Sequence, residues 1–119
     1  MNCEPRFERF DVTGPAGEQR AVQFLRAGTL SVGDRPELYF FRVAGENEDI
    51  AVGISGSALK DFEHGRRCLN REEKIDVAGL LLKRQLETGL ALNSQALFIR
   101  DAQLAELAGL LGIPALGGR

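Results

Sequence analysis

The residues of this chain with chemical potential cluster between positions 53 and 74. Gly53-Ile54-Ser55-Gly56-Ser57 passes from an alternating apolar stretch into one with helical spacing. Free backbone N–H groups at such a junction, with glycine letting an anion approach closely, suit a phosphate or carboxylate. The hydroxyls of Ser55 and Ser57 would add donors there. Lys60, Arg66 and Arg67 would add counter-charge if the following loop folds back, giving a candidate anionic-ligand site of Ser55, Gly56, Ser57, Lys60, Arg66 and Arg67. The competing role is structural, because serine at the start of a helix ordinarily caps it. The pattern lacks the glycine loop and terminal Gly-Lys-Ser/Thr of a nucleotide-binding P-loop. It also lacks the glycine two residues after the serine that a nucleophile elbow requires.

His64 and Cys68 lie four apart between charged residues. Cysteine–histidine chemistry needs a thiolate held by a neighbouring imidazolium. Gly65 breaks the helical spacing that would bring the two together, and one His with one Cys falls short of the four ligands of a structural zinc site. No metal or cofactor is expected, and no catalytic residue is assigned. The run Arg66, Arg67, Arg71, Lys74 is a modest basic patch. It has no interleaved aromatics for base stacking, and Glu72, Glu73 and Asp76 dilute it. Nucleic-acid binding through 66–74 is therefore only a third reading, and with a formal charge of −2 nucleic acid is not expected as a partner of the chain. Glu46, Glu48 and Asp49 belong to a turn and lack the oxygen spacing of a calcium loop.

The element that must position these groups is the stretch 70–88. Asn70 is a helix cap, and Glu73 can reach back to its N–H in a capping box. Glu72 and Glu73 suit the positive end of the helix dipole, and Gly89 is a left-handed stop. Ile75, Ala78, Gly79, Leu82 and Leu86 share one face, widened by Val77 and Leu81. A stripe that broad needs a sheet or another helix against it.

The strands come first in the chain. Residues 6–12, 20–32, 38–44 and 49–55 read as a meander joined by Gly/Pro/Asp-rich turns, with a bulge expected at Ala27-Gly28. The segment 38–44 is apolar on both faces, with Leu38 and Phe40 on one side and Tyr39, Phe41 and Val43 on the other. Ala51 and Gly53 leave room for a close neighbour on one side of the next strand. Helices follow at 57–63, 71–88 and 102–111, the last capped by Asp101, with an additional short strand possible near 96–100. Strands followed by helices imply an α+β fold: an antiparallel meander of three to four strands with helices on one face. One domain spans 1–119, with loose ends at 1–5 and 115–119.

An apolar content of 44%, a charged content of 27% and a formal charge of −2 are those of an ordinary soluble domain. No apolar run is long enough to span a membrane, and the first residues do not read as a secretory signal. Two cysteines far apart in sequence suggest free thiols and a cytoplasmic location. Twelve arginines against three lysines suggest a GC-rich, bacterial coding bias. The second apolar side of 38–44 needs a cover, either the N-terminal segment or a second copy. This points to a non-enzymatic interaction module that self-associates as a homodimer, with Tyr39, Phe41 and Val43 as its interface.

Overall fold

The computed structural model describes residues 7–31, 33, 35–65, 69–89, 92 and 97–112, with the side chains of 63–65 and 101 excepted. Eight elements follow in order: β1 (Arg9–Thr13), β2 (Gln19–Thr29), β3 (Glu37–Val43), β4 (Ile50–Ile54), α1 (Gly56–Gly65), α2 (Arg71–Thr88), β5 (Phe98–Ile99) and α3 (Asp101–Leu110). The fold is α+β. Strands β1 to β4 form an antiparallel meander in sequence order, and β5 adds in parallel beside β4. The sheet is thus mixed and one strand wider than the meander alone. The chain reaches β5 only after α1 and α2, a crossover long enough for a parallel connection.

Alternation divides each strand between two sides. Val12, Val22, Phe24, Tyr39, Phe41, Val43, Val52, Ile54 and Ile99 are buried on the side the helices cover. The α2 stripe meets them, with Ile75, Val77, Ala78, Gly79, Leu81, Leu82 and Leu86 all buried. Each such aliphatic side chain is worth about 1.5–3 kcal/mol on leaving water. Ala58, Leu59 and Phe62 of α1 and Leu104, Leu107 and Ala108 of α3 complete the same cluster.

The expected cap of α2 is present in full. The Asn70 side chain accepts from the Glu73 N–H at 2.8 Å, and Glu73 Oε1 accepts from the Asn70 N–H at 3.0 Å. Gly89 closes the helix at φ 72°, a conformation that side-chain-bearing residues rarely adopt. Asn70→Ala removes one half of the reciprocal pair and is expected to cost about 1 kcal/mol in urea unfolding. Asn70→Asp keeps an acceptor and is expected to cost less.

Three local expectations need correction. The bulge falls two residues earlier than Ala27-Gly28: pairing with β3 shifts between Phe24 and Arg26, leaving Leu25 as the extra residue. Helix α3 begins at Asp101 itself, its N-cap is Arg100, and no side chain caps it. The described part of the N-terminal segment, from Phe7, lies against α2 and not over the open side of the sheet. The Phe7 N–H donates to Asp76 Oδ1 at 2.9 Å. Its ring packs edge-on to Phe10, and its Cβ presses on Gly79 of α2. Gly79 is needed there because a methyl group would strike the Phe7 side chain. Among the described residues no helix is long and apolar enough to cross a membrane.

Candidate interaction surface

The side of the sheet away from the helices carries, beyond the Asp11–Ala21 and Thr13–Gln19 pairs, three cross-strand rows. Arg9, Gln23 and Arg42 form the first, Arg26, Phe40 and Ala51 the second, and Gly28, Leu38, Gly53 and Phe98 the third. The bulge at Leu25 is what puts Arg26 in its row. Val22 and Phe24 point to the core, and unbroken alternation would send Arg26 the same way. The extra residue reverses the parity and aims the guanidinium outward beside Phe40.

Each phenylalanine lies beside a glycine of a neighbouring strand, and Phe98 is seated on its glycine. A Cβ at Gly53 would lie 2.7 Å from Phe98 Cδ1, so the ring rests directly on that backbone. A Cβ at Gly28 would make ordinary contact with the edge of Phe40, at 3.9 Å. Over each ring sits a guanidinium. Arg26 Cζ is 4.2 Å from the Phe40 centroid, and Arg100 Cζ is 5.1 Å from that of Phe98. The close approach expected over Ala51 and Gly53 is therefore made at Gly53 by the chain's own Phe98. Asp49 tethers two of the arginines, with Oδ2 3.3 Å from Arg26 Nη1 and Oδ1 3.7 Å from Arg42 Nη2. These exposed pairs add little stability, but they hold the guanidiniums along the sheet. Beyond the first row lies a shallow hollow of about 530 Å³ over Ala21 and Ala44, rimmed by Arg9, Asp11, Gln23 and Arg42. Among the described side chains, Arg9, Arg26, Arg42 and Arg100 share this side with Asp11 and Asp49, and Glu46 and Glu48 line the adjoining hollow beside Ala51.

The residues singled out in the sequence lie elsewhere. Tyr39, Phe41 and Val43 are 3%, 0% and 1% exposed. They form part of the core under the helices and cannot serve as an association surface. The apolar side chains of β3 that remain half-exposed are Leu38 and Phe40. Ser55 is buried, and its Oγ accepts from the Ala58 N–H at 3.2 Å and lies 3.0 Å from the Ser57 hydroxyl. Its own N–H donates to the Ile99 carbonyl of β5 at 2.9 Å. The serine turn thus caps α1 and ties β4 to β5. Gly56 begins α1 and Lys60 is exposed on it. Arg66 and Arg67, the proposed counter-charges, lie outside the described residues, as do Cys68 and the His64 side chain.

The described members of the basic run are occupied. Lys74 Nζ is 3.2 Å from Glu37 Oε1, and the Arg71 guanidinium lies 5.5 Å from the Phe24 ring centroid. Glu37 also accepts from the Tyr39 hydroxyl at 2.6 Å. Burial, then that bond and the carboxylate charge, push the Tyr39 phenol well above its ordinary range, with Arg71 opposing weakly. In the turn before β4, Glu46 pairs with Arg20 at 3.0 Å. Among the described residues no group of three or more His, Cys, Asp or Glu is placed to hold a metal.

Sequence reading places Leu38 and Phe40 together on one side of β3 but misses Arg26, Phe98 and Arg100. The available signal is the two strand glycines, since glycine within a strand often marks close approach by another group. No protein-family model, curated protein or solved structure matches the chain, and the role of this surface must be argued from its own side chains.

Proposed function

We propose that the chain is a non-enzymatic binding module of the cytoplasm whose working surface is the outer side of the sheet. The observation that carries this reading is the pair of phenylalanines on that side, each topped by an arginine, with Phe98 seated on Gly53. Leu38 extends the apolar strip between them. The commitment of Ser55 to helix capping weighs against the rival reading of an anionic-metabolite site at Ser55–Ser57.

Self-association through this face has the arginines against it. A two-fold contact would bring Arg26 and Arg42 toward their own copies over an otherwise apolar strip, and like charges so placed are unfavourable. Light scattering on Arg26→Gln/Arg42→Gln tests both features of the surface. Both residues are more than half exposed, so the fold is expected to survive. At high micromolar concentration the neutral variant is expected to form more dimer than the wild type. Equal, purely monomeric behaviour of the two proteins would argue against an open apolar face gated by charge.

A further inference from the structure

We propose that the outer side of the sheet binds single-stranded nucleic acid, with bases stacking on Phe40 and Phe98 and phosphates meeting Arg9, Arg26, Arg42 and Arg100. The proposal rests on the reading of that side as the working surface, and it adds the class of partner.

Three observations favour a strand of nucleotides over other occupants. The first is ring placement. Phe98 lies on Gly53 and the edge of Phe40 comes near Gly28, and each ring presents a π-face to a guanidinium. Any planar base can stack on such a face, whatever its identity. An exposed guanidinium on a ring is the weaker contact, and an arginine displaced from the ring gains a phosphate. The second is charge. Arg9, Arg26, Arg42 and Arg100 are spread along the strip, where they suit the phosphates of a polyanion, while the carboxylates Glu46, Glu48 and Asp49 gather at one end, in the hollow beside Ala51. The third is layout. Phe40 and Phe98 sit two strands and two residues apart, about 12 Å at standard sheet spacings. The Arg9–Gln23–Arg42 row continues the same diagonal toward the hollow at Ala21. The surface is thus a track crossing the strands, with rings and cations alternating along it. Bases paired in a duplex cannot splay onto the rings, so single strands are preferred.

The test is fluorescence anisotropy of a labelled, mixed-sequence oligonucleotide of roughly ten nucleotides, with light scattering on the same samples. Binding is expected with a Kd on the order of 1–10 μM at low salt. With about four phosphates neutralised, it is expected to weaken about fiftyfold between 50 and 200 mM salt. Phe40→Ala is expected to weaken binding about tenfold, with circular dichroism unchanged. Arg26→Gln/Arg42→Gln is expected to weaken it and flatten the salt dependence, whereas Arg71→Gln, on α2, leaves it unchanged. A duplex of the same sequence is expected to compete poorly.

Absence of oligonucleotide binding at low salt would overturn the assignment of the partner. If the chain then dimerises more strongly as salt rises, and the Arg26→Gln/Arg42→Gln variant dimerises without salt, the surface stands and its partner is a second copy. Binding that survives both Phe40→Ala and the double arginine variant, or that is lost in Arg71→Gln, would overturn the surface itself.

Discussion

Phe41→Ala is expected to destabilise the protein by about 3–5 kcal/mol, and Phe40→Ala, one residue away, by only about 1 kcal/mol. Phe41 is fully buried in the central part of the sheet, edge-on to Phe24 with centroids 5.5 Å apart. Truncating it removes the transfer energy of the ring and leaves a cavity that the sheet and helices can close only in part. Phe40 points the other way, is half-exposed, and loses chiefly its contact with Arg26, worth about 0.5–1 kcal/mol at an exposed site. Domains of this size are stable by only about 5–15 kcal/mol, so Phe41→Ala brings the chain close to unfolding at ambient temperature. Urea unfolding followed by circular dichroism gives both values. Similar costs for the two variants would mean that the two sides of β3 have been assigned wrongly, and the surface reading would go with them.

The second large effect is expected at high pH. Tyr39 is the sole tyrosine and the chain has no tryptophan, so tyrosinate absorbance reports one residue. Its folded-state pKa is raised by burial and by the Glu37 carboxylate that its hydroxyl contacts. The folded chain therefore holds this proton after the unfolded chain has released it. The contribution of the group to stability is fully present below the unfolded pKa of about 10. Above that pH the unfolded state binds fewer protons, and stability falls by about 1.4 kcal/mol per pH unit. Tyrosinate absorbance is expected to stay silent until the protein unfolds and then to rise together with the loss of far-ultraviolet dichroism. Tyr39→Phe leaves Glu37 paired with Lys74, and the difference in alkaline slope between the two proteins isolates the tyrosine from lysine and cysteine titration. Tyrosinate appearing near pH 10 in a chain with intact dichroism would contradict the buried Tyr39–Glu37 contact.

The architecture was legible where one local signal dominated. The capping box at Asn70 and Glu73, the stripe from Ile75 to Leu86 and the stop at Gly89 each depend on neighbours within a turn or two of helix. The same holds for the clean alternation of β4. Boundaries and pairings that depend on distant residues were harder to read. Strand β5 is two residues long and takes its identity from Gly53 and Ser55, whose N–H groups donate to Leu97 and Ile99. The bulge was displaced because Ala27-Gly28 resembles one locally, whereas the register is decided by the need to bury both Phe24 and Phe41.

The surface itself was hidden by its dispersion. The sequence contains no run in which aromatics and basic residues interleave, and the basic stretch 66–74 has no aromatic residue. The sheet assembles the equivalent from β2, β3 and β5. The assembly depends on a parity reversal at Leu25 and on a ring lying over Gly53, neither of which a linear scan weighs. The doubly apolar character of 38–44 was read correctly, but the outward side was assigned to the wrong residues. Alternation alone gives two sides, and only the packing of α2 decides which of them is the inside.

The most direct test of the binding surface is an amide chemical-shift map recorded while a short single-stranded oligonucleotide is titrated into the labelled protein. The perturbed residues are expected to be Gln23, Arg26, Phe40, Arg42, Ala51, Gly53 and Phe98, with α2 silent from Ile75 to Leu86. Shifts confined to α1 and the first turn of α2, or no shifts at all, would contradict the account.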